Sequence, residues 1–301
     1  MEETGFRSGF AALIGRPNVG KSTLLNALVG HKVAITSHRP QTTRNRIRGV
    51  LNLENAQVVF IDTPGLHKPK HALGEMMVKA AESTLREVDA VLAVMDATEP
   101  DHPGDAHVLE RLKAVDTPVM LLINKVDAVP KPSVLEIIAA YKDRLPFHAI
   151  LPVSALDGTN LDALKAELVQ VLPEGPRYYP EGMITDHPES FLIAEIIREK
   201  VLLLTREEVP HSVMVEVEQL VPRQEKNLVY VHAVIYTERE SQKAILIGKG
   251  GQMLKQVGQL ARQELEILLG TRLFLELWVK VKRDWRNHPG LLRQWGFEDR
   301  G

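Results

Sequence analysis

Eight residues near the amino terminus, Gly15-Arg16-Pro17-Asn18-Val19-Gly20-Lys21-Ser22, have the types and spacing of a phosphate-binding loop. The pattern G-x-x-x-x-G-K-[ST] works when it leaves a strand and opens a helix. Its glycines let the backbone wrap closely and turn N–H groups inward. The helix N-terminus, with Thr23 in its first turn, adds partial positive charge. Lys21 is expected to reach the outer two phosphates, and Ser22 to offer a hydroxyl to Mg2+. The chemistry is nucleoside triphosphate binding and phosphoryl transfer, with Lys21 among the catalytic groups.

Three further segments follow in order. Asp62-Thr63-Pro64-Gly65, followed by Leu66, ends an apolar run. Asp62 is placed for the metal shell, and Gly65 can donate its backbone N–H to a terminal phosphate because no side chain intrudes. Asn124-Lys125-Val126-Asp127 and Ser154-Ala155-Leu156 each follow another apolar run. Four loops just past strands lie on the edge where α/β sheets bind ligands. Asp127 selects the base. Its carboxylate only accepts, so it can take guanine's ring N–H and exocyclic amine together, a donor pair that adenine lacks. Two charge-assisted bonds of roughly 1.5–3 kcal/mol each give about 10²–10⁴-fold discrimination. GTP and GDP with Mg2+ are the expected ligands. Asn124 either holds the loop or reaches the base's other edge. Lys125 is expected to lie over the ring, and the Ala155 backbone to meet guanine's carbonyl.

A sensor for the γ-phosphate must lie in Arg39-Pro40-Gln41-Thr42-Thr43-Arg44. One hydroxyl there should join Mg2+ when the phosphate is present; Thr43 is the first choice and Thr42 the second. Loss of the phosphate would release the loop, which is how such switches work.

These five segments resemble the G motifs of translation-factor-class GTPases. In Ras-like GTPases a Gln just after D-x-x-G orients the attacking water. Leu66 stands here and cannot hydrogen-bond, so the resemblance is to GTPases with a hydrophobic residue in that place, and slow intrinsic turnover is expected. Asn18 has two readings of equal weight. In some relatives lacking the Gln, an Asn here helps bind K+; alternatively it stabilises the loop turn. Arg16, Arg39 and Arg44 are candidate arginine fingers in cis, against the ordinary solvated role of surface arginines.

The elements that must position these loops are legible. Phe10–Ile14, Gln57–Ile61, Ala90–Met95, Val119–Ile123 and Ala149–Pro152 read as buried strands. Lys21–Val29, Glu75–Glu87, Ala106–Val115, Val134–Arg144 and Leu161–Leu172 read as helices between them. This alternation predicts an α/β domain with a mostly parallel sheet and helices on both faces. It spans residues 5–173. A proline- and glycine-rich linker follows at 174–182.

Beyond it the pattern changes to a smaller α+β domain at 183–301. Ser190–Thr205 and Gln252–Leu269 read as helices, and Val213–Leu220, Leu228–Thr237 and Arg272–Val281 as strands. Ile247-Gly248-Lys249-Gly250-Gly251 carries G-x-x-G between two helices. The order resembles a type II KH domain, which implies a glycine loop close to a single-stranded sugar–phosphate backbone and an apolar groove for about four nucleotides. Lys255 lies in the following helix.

A Ras-like G domain followed by a type II KH domain, over essentially the whole chain, resembles the Era family of bacterial GTPases. Lys280-Val281-Lys282-Arg283-Asp284-Trp285-Arg286 matches the family's K-V-K-x-x-W-R-like end of the KH domain. Lys280, Lys282, Arg283, Trp285 and Arg286 are therefore candidate RNA contacts, interleaving a stacking ring with phosphate-binding charges. The resemblance implies binding to the 3′ region of small-subunit (16S) rRNA and help in rRNA maturation and 30S subunit assembly. It also implies peripheral membrane association, of which the sequence itself shows nothing.

Net charge sharpens the RNA reading. The 301 residues sum to −2, which argues against a generic polyanion binder. Yet Ser241–Gln263 carries Lys243, Lys249, Lys255 and Arg262 with no acid, and 38–48 carries Arg39, Arg44, Arg46 and Arg48 with none. Local excess with global neutrality fits selective contact with one RNA stretch. The absence of cysteine excludes disulfides, thiolate metal sites and a cysteine nucleophile. No apolar run approaches the roughly 18 residues of a membrane helix, and the start Met1-Glu2-Glu3 is acidic where a signal peptide is basic. A cytoplasmic monomer is expected. An RNA-modifying enzyme would show a nucleophile or cofactor motif after residue 180, and a membrane-attached signalling GTPase would show a lipidation motif; neither is present.

Overall fold

The computed structural model describes residues 5–66, 69, 71–223 and 227–297. The first sheet has six strands in the order β2-β3-β1-β4-β5-β6. They are β1 (Arg7–Ile14), β2 (Ile47–Asn52), β3 (Ala56–Asp62), β4 (Ala90–Asp96), β5 (Val119–Asn124) and β6 (Ala149–Pro152). Every pairing is parallel except β2 with β3. The central strands read as near-continuous Ala, Val, Leu and Ile because helices cover them on both sides. Leu13, Val58, Phe60 and Leu92 face one core with Leu24 and Leu28 of α1 (Lys21–Val29) and Leu164 of α5 (Leu161–Val171). Ile14, Val91 and Ile123 face the other with Ala81, Val108 and Ile137. These three come from α2 (Ala72–Thr84), α3 (Pro103–Leu112) and α4 (Lys131–Tyr141). Strand order reverses at β1, the crevice where open α/β sheets bind ligands.

The three helices α2, α3 and α4 begin and end about a turn before their apolar periodicity suggests. In α3 and α4 the helix starts before its apolar face does, since each opens with proline in the first two positions, where its missing N–H is no loss. His71 caps α2 by accepting from the Gly74 N–H at 2.9 Å. The strand β2 was not foreseen. Its Gly49 admits no side chain, since a Cβ there would lie 2.7 Å from Leu25.

Residues 174–182 are fastened along the first sheet rather than hanging between domains. Ser8 Oγ donates to Pro176 O at 2.6 Å, and Gln57 Oε1 accepts from the Tyr178 and Tyr179 N–H groups. The second sheet has the order β7-β8-β9 (Met214–Arg223, Leu228–Thr237, Arg272–Val281), antiparallel then parallel. Its inner face packs on α6 (Glu189–Leu204) and α9 (Gln252–Leu269) through Ile193, Ile197, Val231, Ala233, Val257 and Leu265. A single turn, α7 (Val209–Ser212), follows α6; α8 (Glu240–Ile247) precedes the glycine loop, and α10 (Pro289–Gln294) ends the described chain.

Candidate functional site

The loops after β1, β3, β5 and β6 converge with residues 35–43 around a cavity of about 460 Å³. Lys21 is buried and donates to the carbonyls of Gly15 (3.0 Å) and Arg16 (2.9 Å), spanning the loop it belongs to. Burial lowers its ammonium to about 8, with Asp62 opposing; a phosphate would supply the anion it lacks. Gly20 has φ +99°, and a Cβ there would stand 2.3 Å from Asn124 Nδ2. Gly65 passes so close beneath Pro17 that a Cβ would lie 2.7 Å from its nitrogen. These two glycines bring the three loops together.

Asn124 holds loops rather than a base. Its Nδ2 donates to Val19 O at 2.8 Å, and its Oδ1 accepts from the Ala155 N–H at 3.0 Å. Lys125 donates to Asn18 O at 3.0 Å and pairs with Asp96 at 2.5 Å, its stem along the cavity. Ser154 Oγ donates to Asp127 Oδ1 at 2.6 Å, which fixes the exposed carboxylate where a base can meet it. Leu156, 80% exposed, lines the rim. Val126 stays half-buried behind this loop. Thr63 Oγ1 donates to Leu13 O at 2.8 Å, and Pro64 is buried beside it; both shape the turn from beneath.

Three oxygens meet where Mg2+ is expected. Ser22 Oγ donates to Asp62 Oδ2 at 2.5 Å, Thr43 Oγ1 does so at 3.2 Å, and the two hydroxyls stand 2.9 Å apart. Asp62 is fully buried, its Oδ1 has no hydrogen-bond partner among the described residues, and burial raises its pKa. A buried carboxylate oxygen beside two hydroxyls fits a hard cation. Thr42 instead donates to Arg39 O at 2.6 Å. The geometry brings Thr43, and not Thr42, to Asp62. Thr43→Ala is expected to slow Mg2+-dependent single-turnover hydrolysis at least about tenfold, while Thr42→Ala stays close to the wild-type rate.

Several expectations need correction. Leu66 is not a ligand contact: its side chain is 4% exposed within the core, and its N–H bonds to Gly15 O. Arg16 is held beneath the loop by Glu99 (2.8 Å) and Asp105 (3.2 Å) and cannot act as a finger. Arg39 donates to Thr205 O at 3.1 Å. Arg44 is buried and donates to the carbonyls of Val213 (2.5 Å), Pro210 (3.2 Å) and His211 (3.2 Å). Both point into the second domain, away from the phosphates.

That domain forms part of the cavity wall through Glu199, Lys200 and Leu203 of α6, none of which had a local sequence signal. Glu199 accepts from the Thr36 N–H at 2.9 Å and from Lys32 at 2.8 Å. Arg198 donates to Thr42 O. Lys32 and Lys200 both pair with Glu264 of α9. The sensor loop is thus bonded to α6, and Lys32, before the loop, reaches α9.

The glycine loop has positive φ at Gly248, Gly250 and Gly251 (+71°, +61°, +79°) and exposes Lys249. Ile247 is half-buried beneath it. A groove of about 460 Å³ runs on from Gly251, walled by Leu254, Leu275 and Leu277 with Lys255 and Arg262 among its lining charges. The tail does not join it. Trp285 is fully buried, donates to Ser212 O at 2.9 Å and packs with Leu73 and Met77 of α2. A ring so enclosed cannot stack on a base. Arg286 pairs with Glu238, and Lys280 with Glu218 at 3.2 Å. Lys282 lies over Tyr236 and Trp295, 5.7 Å from each ring centre. Arg283 is exposed outside the groove.

Comparison with known proteins supports both halves. The family described as "50S ribosome-binding GTPase" matches residues 10–125, and the KH domain family matches residues 208–286. The chain is 57% identical over 294 residues to GTPase Era of Heliobacterium modesticaldum, covering 98% of each. It is similar, at TM-score 0.94 and 45% identity, to a crystal structure of an Aquifex aeolicus Era variant bound to GDP and AlF4−. An Era complex with MgGDPNP and nucleotides 1506–1542 of 16S ribosomal RNA gives the same values; in both cases 98% of this chain and 100% of the other are covered.

Proposed function

The chain belongs to the Era family of GTPases, and from that premise we propose that its GTP cycle governs contact with ribosomal RNA. The RNA is the 3′ region of 16S rRNA, held in the groove beside Gly251, and the process assisted is maturation of the 30S subunit. The observation that carries this reading is the bonding of the γ-phosphate sensor to the RNA-binding domain. Residues 36–44 reach α6 and α7 through Thr36, Thr42 and Arg44. The helix after Gly65, α2, packs on Trp285. The sensor loop and the helix that follows Gly65 therefore both grip the second domain.

Hydrolysis at this site rests on charge and enclosure. Lys21 and the inward N–H groups of the loop meet phosphate charge, and Gly65 leaves its backbone open to the terminal phosphate. Mg2+, held by Ser22 and Thr43 with Asp62 behind, would supply a counter-charge to the β- and γ-phosphate oxygens. Leu66 turns into the core and cannot orient an attacking water, so turnover without RNA should be slow. Asn18 donates through Nδ2 to His38 O at 2.9 Å, which leaves its Oδ1 as the oxygen to face a K+ ion. Hydrolysis is expected to run faster in K+ than in Na+ buffer; identical rates would leave Asn18 as a loop-holding residue.

A cytoplasmic monomer with peripheral contact at the inner face of the membrane completes the proposal. Among the described residues no helix is long and apolar enough to cross a membrane. Crosslinking to total RNA with GTP, GDP or no nucleotide tests the proposal. Small-subunit rRNA should be enriched, and its absence would sink the reading. Gly251→Asp serves as control: φ +79° strains any side chain in the glycine loop and a carboxylate there would repel phosphate, so RNA capture should fall while GTP binding persists.

A further inference from the structure

The sheet of the second domain covers its helices with one face; on the other, Trp295 packs over Tyr236 at one end, and the rest, around Tyr230, Phe274 and Trp278, is aromatic and exposed. Leu273, Leu275, Leu277 and Val279 of β9 turn toward the helices, so Phe274, Glu276, Trp278 and Lys280 turn outward. Phe274 is 57% and Trp278 54% exposed, where an open sheet face usually carries polar residues. Phe274 pairs in register with Tyr230 of β8, and their rings stack at 5.9 Å, 21° apart. Trp278 meets His232 edge-on at 6.4 Å.

Glu276 stands between the two pairs. It accepts from the Tyr230 hydroxyl at 2.7 Å and from Trp278 Nε1 at 2.8 Å. One carboxylate thus takes the polar tips of both rings and holds them in place, leaving ring surface for a partner. Arg223 lies over Tyr230, 4.7 Å from its centre, and Arg272 is exposed at the start of β9, while Lys280 at its other end is paired with Glu218. Because β9 is an edge strand, Phe274 also lines the groove beside Gly251. Groove and aromatic face form one surface that turns a corner at Phe274.

We propose that this face is a stacking platform for the nucleotides that flank those in the groove. The inference rests on the RNA reading above. Continuity with the groove and the flanking cations favour RNA over a protein partner, and base–aromatic stacking tolerates any sequence. The test uses two RNAs from the 3′ region of 16S rRNA: a tetranucleotide that fits the groove, and the same segment extended at both ends. Trp278→Ala should weaken the longer RNA by about tenfold and leave the tetranucleotide and GTP unchanged; Trp278→Phe should restore most of the loss. No change, or an equal change with both RNAs, overturns the proposal. So does unchanged RNA affinity with weaker binding to intact small subunits, which would make the face a protein contact. If the wild type binds neither RNA, the RNA reading itself fails and the platform with it.

Discussion

Asp127→Asn should lower GTP affinity by about 10²–10⁴-fold and turn preference toward xanthosine triphosphate. Ser154 already donates to one carboxylate oxygen at 2.6 Å, so the carboxylate's orientation is set before nucleotide arrives. Guanine then offers two donors to a group that only accepts. Asn replaces one acceptor with an N–H, which faces a guanine donor and leaves it unpaired. Xanthine carries a carbonyl where guanine carries the amine, and that carbonyl matches the new N–H. Asp127 is exposed, so the fold should be unaffected. Competition between the two triphosphates on wild type and variant measures the exchange; a variant that still prefers GTP by the wild-type margin would remove Asp127 as the reader of the base.

Trp285→Ala should destabilise the protein by about 3–5 kcal/mol, the cost of truncating a buried Trp, and lower Tm by roughly 6–20 °C. The ring fills a site shared by α2, α7 and the tail. It has no exposed surface, contacts Leu73, Met77, Leu292 and Phe297, and donates to Ser212 O. The Arg44 guanidinium lies 5.8 Å from the ring centre. Its burial pulls the Arg44 pKa down to about 9, so this cation depends on its three backbone carbonyls and the ring beside it. Removing the ring should loosen Arg44 and with it the sensor loop. Calorimetry gives the stability change. The same variant should bind a groove-filling tetranucleotide normally, since Trp285 is remote from the groove; a selective loss of that binding with unchanged Tm would restore Trp285 as an RNA contact.

The contrast between Asp127 and Trp285 shows what a sequence can carry. The nucleotide loops are short and locally determined: glycine positions, a strand before, a helix after. Their residues were legible because their chemistry depends on neighbours within a few positions. Trp285 sits in a run of basic residues that locally looks like a nucleic-acid contact. What buries it is α2, some 200 residues earlier in the chain, and no local pattern reports that. The same holds for Arg198, Glu199 and Lys200, which read as ordinary charges on a helix. They are buried because Thr42, Thr36, Lys32 and Glu264 meet them. The strand β2 escaped notice because Arg48 and Gly49 interrupt its apolar pattern, although Gly49 is required by the packing of α1. The strands and helices that supply the main cores are legible in their apolar patterns; the starts of α3 and α4 are not, because proline and polar residues make up their first turns.

Arg198 gives the most direct access to the coupling between nucleotide and RNA. It is 1% exposed, is held by Glu195 at 2.7 Å, and touches the sensor loop through Thr42 O. The decisive measurement is the affinity for 16S 3′-region RNA with a non-hydrolysable GTP analogue and with GDP, for wild type and for Arg198→Ala. Wild type should bind RNA more tightly with the GTP analogue, and the ratio should fall toward one in the variant while GTP affinity is kept. Equal RNA affinity in the two nucleotide states of the wild type would contradict a GTP-governed RNA switch.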